Sequence, residues 1–390
     1  MKKIAAFFTA LIVFLIGINV FHYNISGDLR TNNRAFGTWY NAYKDLSYNA
    51  LSQNMHYDTM PVFGSSEFRH GRGSIYHPKQ VFAKSDASIM TIGGPYNMCL
   101  NHAITLGALS DKIKNKKAVL LVSPTWFYKH GVIPIRYSLR FSESNYMAFM
   151  ENPHVSKSVK KYVAKRTENL LRVDLDKYRL AKRTDDIYVR NSKSKLKKKI
   201  YNIHKAYVHD KEILGMTSIM KKSNIKRYPK YMPLPKSARE PDWTDLILKA
   251  QKSSGKISNN PYNIDEKSWK RDIRAVYSKQ KNRLKDETLS DSPEFDDLET
   301  FLTICKEQKI RPMLVVLPVN GKWYDYVGLT KEKRHRFIKR MHKIGKKYNA
   351  KVVDFAQYEY VPNILEDTVH PKKEGWVRIN EEIYKFYKEM

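Results

Sequence analysis

Cysteine is almost missing from this chain. Two thiols in 390 residues, Cys99 and Cys305, are too few for a disulfide framework or a multi-cysteine zinc site. Their apolar, helical surroundings suggest buried thiols rather than a disulfide. Glycine and proline, 16 of each, exclude a collagen-like or fibrous chain. No internal repeat is visible. Histidines such as His130 and His204 fall in no ligand-like spacing, so neither a metal nor a cofactor is expected. Acidic residues are scarce beside basic ones: 39 Asp and Glu face 71 Lys and Arg, a net charge of +32. Such an excess predicts a polyanionic partner, whether nucleic acid, anionic lipid or an anionic polymer. What is present is a 42 % apolar chain, too hydrophobic for disorder and long enough for a large α/β domain with insertions. The 26 tyrosines add an aromatic, basic surface suited to phosphate or sugar.

Long apolar runs are also missing, with one exception. Ile4 to Phe21 reads IAAFFTALIVFLIGINVF, with only Thr9 and Asn19 polar. That run approaches the length that spans a hydrocarbon core of ~30 Å. Asn19-Val20-Phe21-His22-Tyr23 offers no small-x-small cleavage site, so the run reads as an uncleaved signal anchor. Lys2 and Lys3 favour a cytoplasmic N-terminus, which leaves the remainder outside the membrane. Location then argues against nucleic acid and for the anionic membrane surface or a cell-wall polymer.

Further along, short apolar runs end in turn residues. Tyr57–Phe63 leads into Gly64-Ser65-Ser66-Glu67, Ala87–Ile92 into Gly93-Gly94, and Ala118–Val122 into Ser123-Pro124. All three read as strands. Asn97–Leu109 has helical spacing. Residues 151–230 hold 23 Lys and Arg against 8 Asp and Glu, about half of the whole excess. Ser156–Leu180 and Lys193–Tyr207 read there as charged helices, and 225–265 as a long surface connection. The α/β rhythm returns with a helix at Asp296–Gln308, a strand at Arg311–Leu317 and a helix at Thr330–Tyr348. A strand at Lys351–Phe355 and a helix at Lys373–Lys388 close the pattern. Strands alternating with helices predict a doubly wound parallel sheet. The expected division is an anchor at 1–25, a first catalytic part at 26–150, a basic helical insertion at 151–265 and a second catalytic part at 266–390.

Two loops carry chemistry. Ser66 follows the first strand, and Asp367-Thr368-Val369-His370-Pro371 precedes the last helix. Ligands of open α/β sheets bind beyond the carboxyl ends of the strands, where both loops belong. A serine hydroxyl needs a base to take its proton, and His370 can serve. Asp367, three residues earlier, can hold the imidazole in the required tautomer. Gly94 in the Gly93-Gly94 turn and Asn97 are candidate oxyanion donors, although Asn97 could equally cap the helix that follows.

This order of serine, aspartate and histidine resembles the SGNH, or GDSL-like, hydrolases, with Gly64-Ser65-Ser66-Glu67 in the place of Gly-Asp-Ser-Leu. One departure stands out. Where many of those enzymes have Gly-x-Asn-Asp, this chain has Ser123-Pro124-Thr125-Trp126-Phe127, which lacks the donor Asn. The blocks Val62–Phe68, Gly93–Asn97, Ser123–Phe127, Pro318–Gly321 and Asp367–Pro371, together with the anchor, resemble a narrower family: DltD, of D-alanyl-lipoteichoic acid biosynthesis. That resemblance implies extracytoplasmic transfer of D-alanine esters to teichoic or lipoteichoic acid. It also implies a membrane-bound O-acyltransferase (DltB) and a D-alanyl carrier protein system as partners, and Ser66, Asp367 and His370 as the triad.

Two other readings compete with an acyltransferase. One is a non-catalytic scaffold for carrier and acceptor, which the missing Asn favours. The other is a D-alanyl thioesterase or lipase with no polymer acceptor. Among nearby residues, Glu67 is expected in a surface salt bridge with Arg69 or Arg72, with the D-alanine ammonium as the alternative contact. His70 and His77 are expected to be ordinary loop histidines.

Overall fold

The computed structural model describes residues 2–25 and 27–389. Five strands form the centre: β1 (Met60–Phe63), β2 (Ile89–Ile92), β3 (Lys117–Val122), β4 (Arg311–Val316) and β5 (Lys351–Asp354). They pair in parallel in the order β2-β1-β3-β4-β5. β1 to β4 are short apolar runs buried on both faces, the composition a covered parallel sheet requires. After β1 the chain crosses to one side to make β2. It then returns to β3 and continues to the other side, so the β1–β3 junction is the switch point where a crevice opens.

Helices flank this sheet or extend from it, among them α1 (Lys2–Asn24), α2 (Pro78–Lys84), α3 (Cys99–Leu109), α4 (Glu143–Glu151), α5 (Lys157–Leu170) and α6 (Leu175–Tyr188). They are followed by α7 (Lys195–Lys222), α8 (Trp243–Ser253), α9 (Glu294–Glu307), α10 (Gly321–Tyr326), α11 (Lys331–Tyr348) and α12 (Lys373–Lys388). The alternation of side chains along each strand sorts the core into two layers. Phe63, Ala118, Leu120, Val122, Leu314 and Val316 face α3, α9 and α11. Met60, Val62, Val119, Leu121, Met313 and Val315 face α2, α8 and α12. The fold is therefore a parallel α/β sheet covered on both faces. Cys99 and Cys305 are both unpaired thiols buried in the first layer.

The stretch from β3 to β4 is mostly helical. Val159, Val163 and Leu170 of α5, Leu180 and Ala181 of α6, and Val208, Ile213 and Met216 of α7 share one apolar cluster with the sheet. The charged stretch expected as one helix over Ser156–Leu180 is broken. Leu171–Val173 tightens into a 3-10 turn, and the Asp174 side chain caps the new helix by accepting the Lys177 N–H. The surface connection expected over 225–265 contains α8. Trp243, Leu246, Ile247 and Ala250 fall at helical spacing, pack with α12, and follow the capping residue Asp242. Every residue of α1 is exposed. Its 23 residues make a rod of about 34 Å, enough to cross a bilayer.

Candidate active site

β1 delivers Ser66. The Gly64 N–H still bonds the Ile92 carbonyl across the sheet at 3.0 Å. The chain then tightens at once into a 3-10 turn over Ser66–Arg69, which leaves Ser66 half-buried at the carboxyl edge. Two glycines make the approach possible. A Cβ on Gly64 would collide with Glu67 and Phe68, and one on Gly93 would overlap the Gly64 carbonyl. Gly93 also has φ +151°, a conformation that favours glycine.

His370 arrives from the far end of the sequence on a tight hairpin. The Glu366 N–H donates to the His370 carbonyl at 2.9 Å, and the Lys372 N–H to the Ile364 carbonyl at 2.8 Å. Asp367 organises the tip from within, because its Oδ1 accepts the N–H groups of Val369 and His370, each at 2.8 Å. Its Oδ2 lies 2.6 Å from His370 Nδ1, and His370 Nε2 lies 2.8 Å from Ser66 Oγ. Ser66, His370 and Asp367 thus form one hydrogen-bonded chain. Burial disfavours the charged imidazolium, but Asp367 bonded to the ring, with Glu67 and Glu366 nearby, raises the His370 pKa above its ordinary value. Burial would raise the Asp367 carboxyl, yet His370 and the two backbone N–H groups hold it below the usual carboxylate range.

Two neighbours complete the site, and neither matches its sequence reading. Glu67 makes no surface salt bridge with Arg69 or Arg72. Its carboxylate is buried and accepts the Ser65 N–H at 2.6 Å. Burial raises its pKa, since the backbone N–H groups compensate only in part. The His70 ring lies flat on the His370 ring, with centroids 3.6 Å apart and planes within 7°, while its Nδ1 bonds Glu366. His70 is therefore part of the site. Its sequence cue is slight: the position four residues after Ser66, at the end of the 3-10 turn. His77 is further off; its buried ring caps α2, and burial pushes its pKa down to about 4.

At the oxyanion candidates the bonds seen are on acceptor atoms, and not on the Gly94 N–H or Asn97 Nδ2 that would donate. The Gly94 carbonyl accepts from Ser65 Oγ at 3.2 Å. Asn97 Oδ1 accepts from Arg140 Nε at 2.7 Å, and Arg140 also donates to Asp45 at 3.2 Å. Asp45 in turn takes the Gly93 N–H. These bonds fasten the Gly93–Asn97 turn to the segment before β1. A cavity of about 450 Å³ opens beside Ser66, and its walls include Thr125, Trp126, His130, Arg136, Arg283 and Glu287. Its lining brings two guanidinium groups and one carboxylate together with Tyr96, Trp126 and Tyr128. The Ser123–Phe127 block thus lines the pocket with Thr125 and Trp126.

His70, Asp367 and His370 bring ligand-type atoms within 4.8 Å of one another, close enough to share an ion. Their hydrogen bonds already commit most of that capacity. His370 is bonded at both nitrogens, Asp367 Oδ2 to His370, and His70 Nδ1 to Glu366.

Fold and site together define an α/β protein with a Ser–His–Asp hydrogen-bonded chain at the switch point of a parallel sheet. Comparison with known proteins narrows this class. The family model described as DltD protein matches residues 33–388, so the chain belongs to the DltD family. It is 29 % identical to Protein DltD of Bacillus subtilis (strain 168) over 332 residues, covering 84 % of this chain and 82 % of that one. With Protein DltD of Staphylococcus aureus (strain NCTC 8325 / PS 47) the identity is 27 % over 338 residues, 84 % and 81 % of the two chains. With Protein DltD of Lacticaseibacillus rhamnosus it is 23 % over 342 residues, 84 % and 77 %.

Proposed function

We propose that the protein is a membrane-anchored serine acyltransferase of SGNH type that moves D-alanyl groups onto teichoic or lipoteichoic acid outside the cell membrane. Membership of the DltD family supports a role in the D-alanylation of teichoic acid. The observation that carries the catalytic part is the continuous bonding from Ser66 Oγ through His370 to Asp367 at the mouth of a cavity. In this reading α1 is the single-pass anchor, with the N-terminus on the cytoplasmic side. A membrane-bound O-acyltransferase and a D-alanyl carrier system supply the acyl group.

Each step uses groups already in place. His370 Nε2 takes the Ser66 proton as Oγ attacks the D-alanyl carbonyl, and Asp367 stabilises the imidazolium that forms. His370 then gives that proton to the departing group, leaving a D-alanyl ester on Ser66. A polymer hydroxyl next enters, His370 takes its proton, and the hydroxyl oxygen attacks the ester. Collapse returns the proton to Ser66 and releases the D-alanyl polymer. Arg136 and Arg283 suit the acceptor's phosphates, and Glu287 suits the D-alanyl ammonium.

A serine-reactive phosphonate tests the reading. Wild type is expected to be labelled at Ser66, with labelling lost in Ser66→Ala and strongly slowed in His370→Ala. Both variants should lose D-alanine ester incorporation while staying folded. An unlabelled Ser66 with normal incorporation in both variants would leave the non-catalytic scaffold as the correct reading. Turnover of a small D-alanyl thioester, with a rate indifferent to added polymer, would favour the thioesterase instead.

A further inference from the structure

α7 has two apolar faces, and the fold uses only one. Tyr201, Val208, Ile213, Met216 and Met220 are buried against the domain. On the opposite side Leu196, Ile200, Ile203, Tyr207 and Leu214 recur at intervals of four, three, four and seven residues. At the helical rotation per residue they occupy an arc of roughly 60°. All five are exposed, by 43 to 67 %. An isolated exposed leucine needs no explanation, but a stripe along 19 residues of one helix does. Polar flanks complete the pattern. α7 carries eight lysines, of which Lys197, Lys205 and Lys211 pair with Asp186, Glu151 and Glu143, and only two acids. Glu212 is turned inward onto Ser47 and Asn49, and Asp210 is paired with His22.

That last pair shows what the stripe faces. His22 belongs to the final turn of α1, and its Nδ1 lies 2.7 Å from Asp210 Oδ2. The His22 ring also meets His209 edge-on at 6.5 Å. Asp210 sits at the margin of the exposed stripe. The end of the membrane-length helix therefore abuts the middle of α7 on its unpartnered apolar side. Beyond α1 the chain stays close. Asn33 Nδ2 donates to the Lys226 carbonyl at 3.0 Å, and Arg227 donates to the Asp28 carbonyl at 3.0 Å. Lys221 and Lys222 at the end of α7, and Lys226, Arg227 and Lys230 after it, are thus exposed near the anchor.

From this geometry we infer that α7 is an interfacial helix. Its Leu196–Leu214 stripe lies in the headgroup and upper acyl region of an anionic bilayer, with the flanking lysines on lipid phosphates. An apolar face of this width with lysine flanks is what such helices use, and two membrane contacts hold where one gives only a pivot. The domain would then lie against the surface in one orientation instead of swinging on α1. This inference rests on α1 being the anchor.

The full chain in vesicles rich in phosphatidylglycerol tests it. Single cysteines at Ile203 or Leu214 carry an environment-sensitive fluorophore, the native thiols being buried. Leu248→Cys on α8, across the sheet, is the control. The expected result is a blue-shifted emission at both α7 positions, quenched about twofold or more by nitroxide lipids labelled in the upper acyl chain, with neither effect at Leu248. Quenching should weaken in pure phosphatidylcholine. Control-like emission at Ile203 and Leu214, in protein that still resists alkaline extraction, overturns the interfacial role while leaving the anchor intact. A blue shift without nitroxide quenching means that protein covers the stripe, and overturns it too. Release of the whole chain by alkaline extraction overturns the anchor reading, and the inference with it.

Discussion

His370 can accept the Ser66 proton only when its ring is neutral. The half-buried Asp367 carboxylate raises the ring's pKa, so the inactive imidazolium persists to higher pH than in a free histidine. Acyl transfer is therefore expected to rise with pH through a midpoint above about 6.5, and to be lost below it. Asp367→Asn removes both the bond and the charge that raise the pKa. The acid limb should then move down, while kcat falls on the order of ten-thousandfold because the tautomer is no longer fixed. A pH series of single-turnover acylation, read for wild type and the variant, checks both signs. An unchanged midpoint in Asp367→Asn would show that His370 is not the titrating base.

At the scale of elements, the hairpin that carries His370 is only as firm as what it rests on. The Asn320 N–H donates to the Thr368 carbonyl at 2.9 Å, within the Asp367–His370 segment. The Asn320 side chain caps α10 by accepting the Trp323 N–H at 2.9 Å, and reaches the Tyr262 carbonyl at 2.8 Å. Asn320→Ala removes both side-chain bonds, and should cost about 1–3 kcal/mol of stability. Thermal unfolding measures that cost, and kcat should fall more than KM changes, because the reacting groups lose alignment rather than binding surface. The Pro318–Gly321 block was legible in the sequence as a family signature, but its task was not. The same division runs through the site. Ser66 and the Asp367-x-x-His370 spacing are local facts, readable once the first strand and last helix are placed. The strands were readable because a covered parallel sheet needs short apolar runs. Glu67 and His70 take their roles from partners that only the fold supplies. His70 finds His370 300 positions along the chain, and Glu67 turns inward because the end of β1 leaves the Ser65 N–H without a ladder partner. α8 went unread for another reason: its surroundings are rich in Pro, Ser and Asn, which masked an apolar spacing of only four residues.

For the whole molecule, the question is what a net charge of +32 does for a proposed reaction at a single serine. Much of it lies on α5 to α7 and the irregular segment beyond, away from Ser66. Among the described residues, Arg136 and Arg283 are the Arg and Lys side chains that line the cavity beside Ser66. Two electrostatic tasks are thus separated in space, long-range attraction by the lysine-rich helices and short-range placement by two guanidiniums. They should separate in experiment too. Long-range attraction is screened once the Debye length shrinks to a few ångströms, whereas contacts inside a cavity are screened less. Transfer to a polyphosphate acceptor is therefore expected to slow about tenfold or more as salt rises tenfold, mainly through KM. Hydrolysis of a small neutral ester by the same Ser66 should barely change. Replacing Arg136 and Arg283 by Gln should raise KM for the polymer at every salt concentration and leave the slope with salt largely intact. Replacing the exposed lysines of α5 and α6 should instead flatten that slope while leaving the high-salt KM alone. A polymer KM indifferent to salt in the wild type would mean that the charge serves the membrane surface alone.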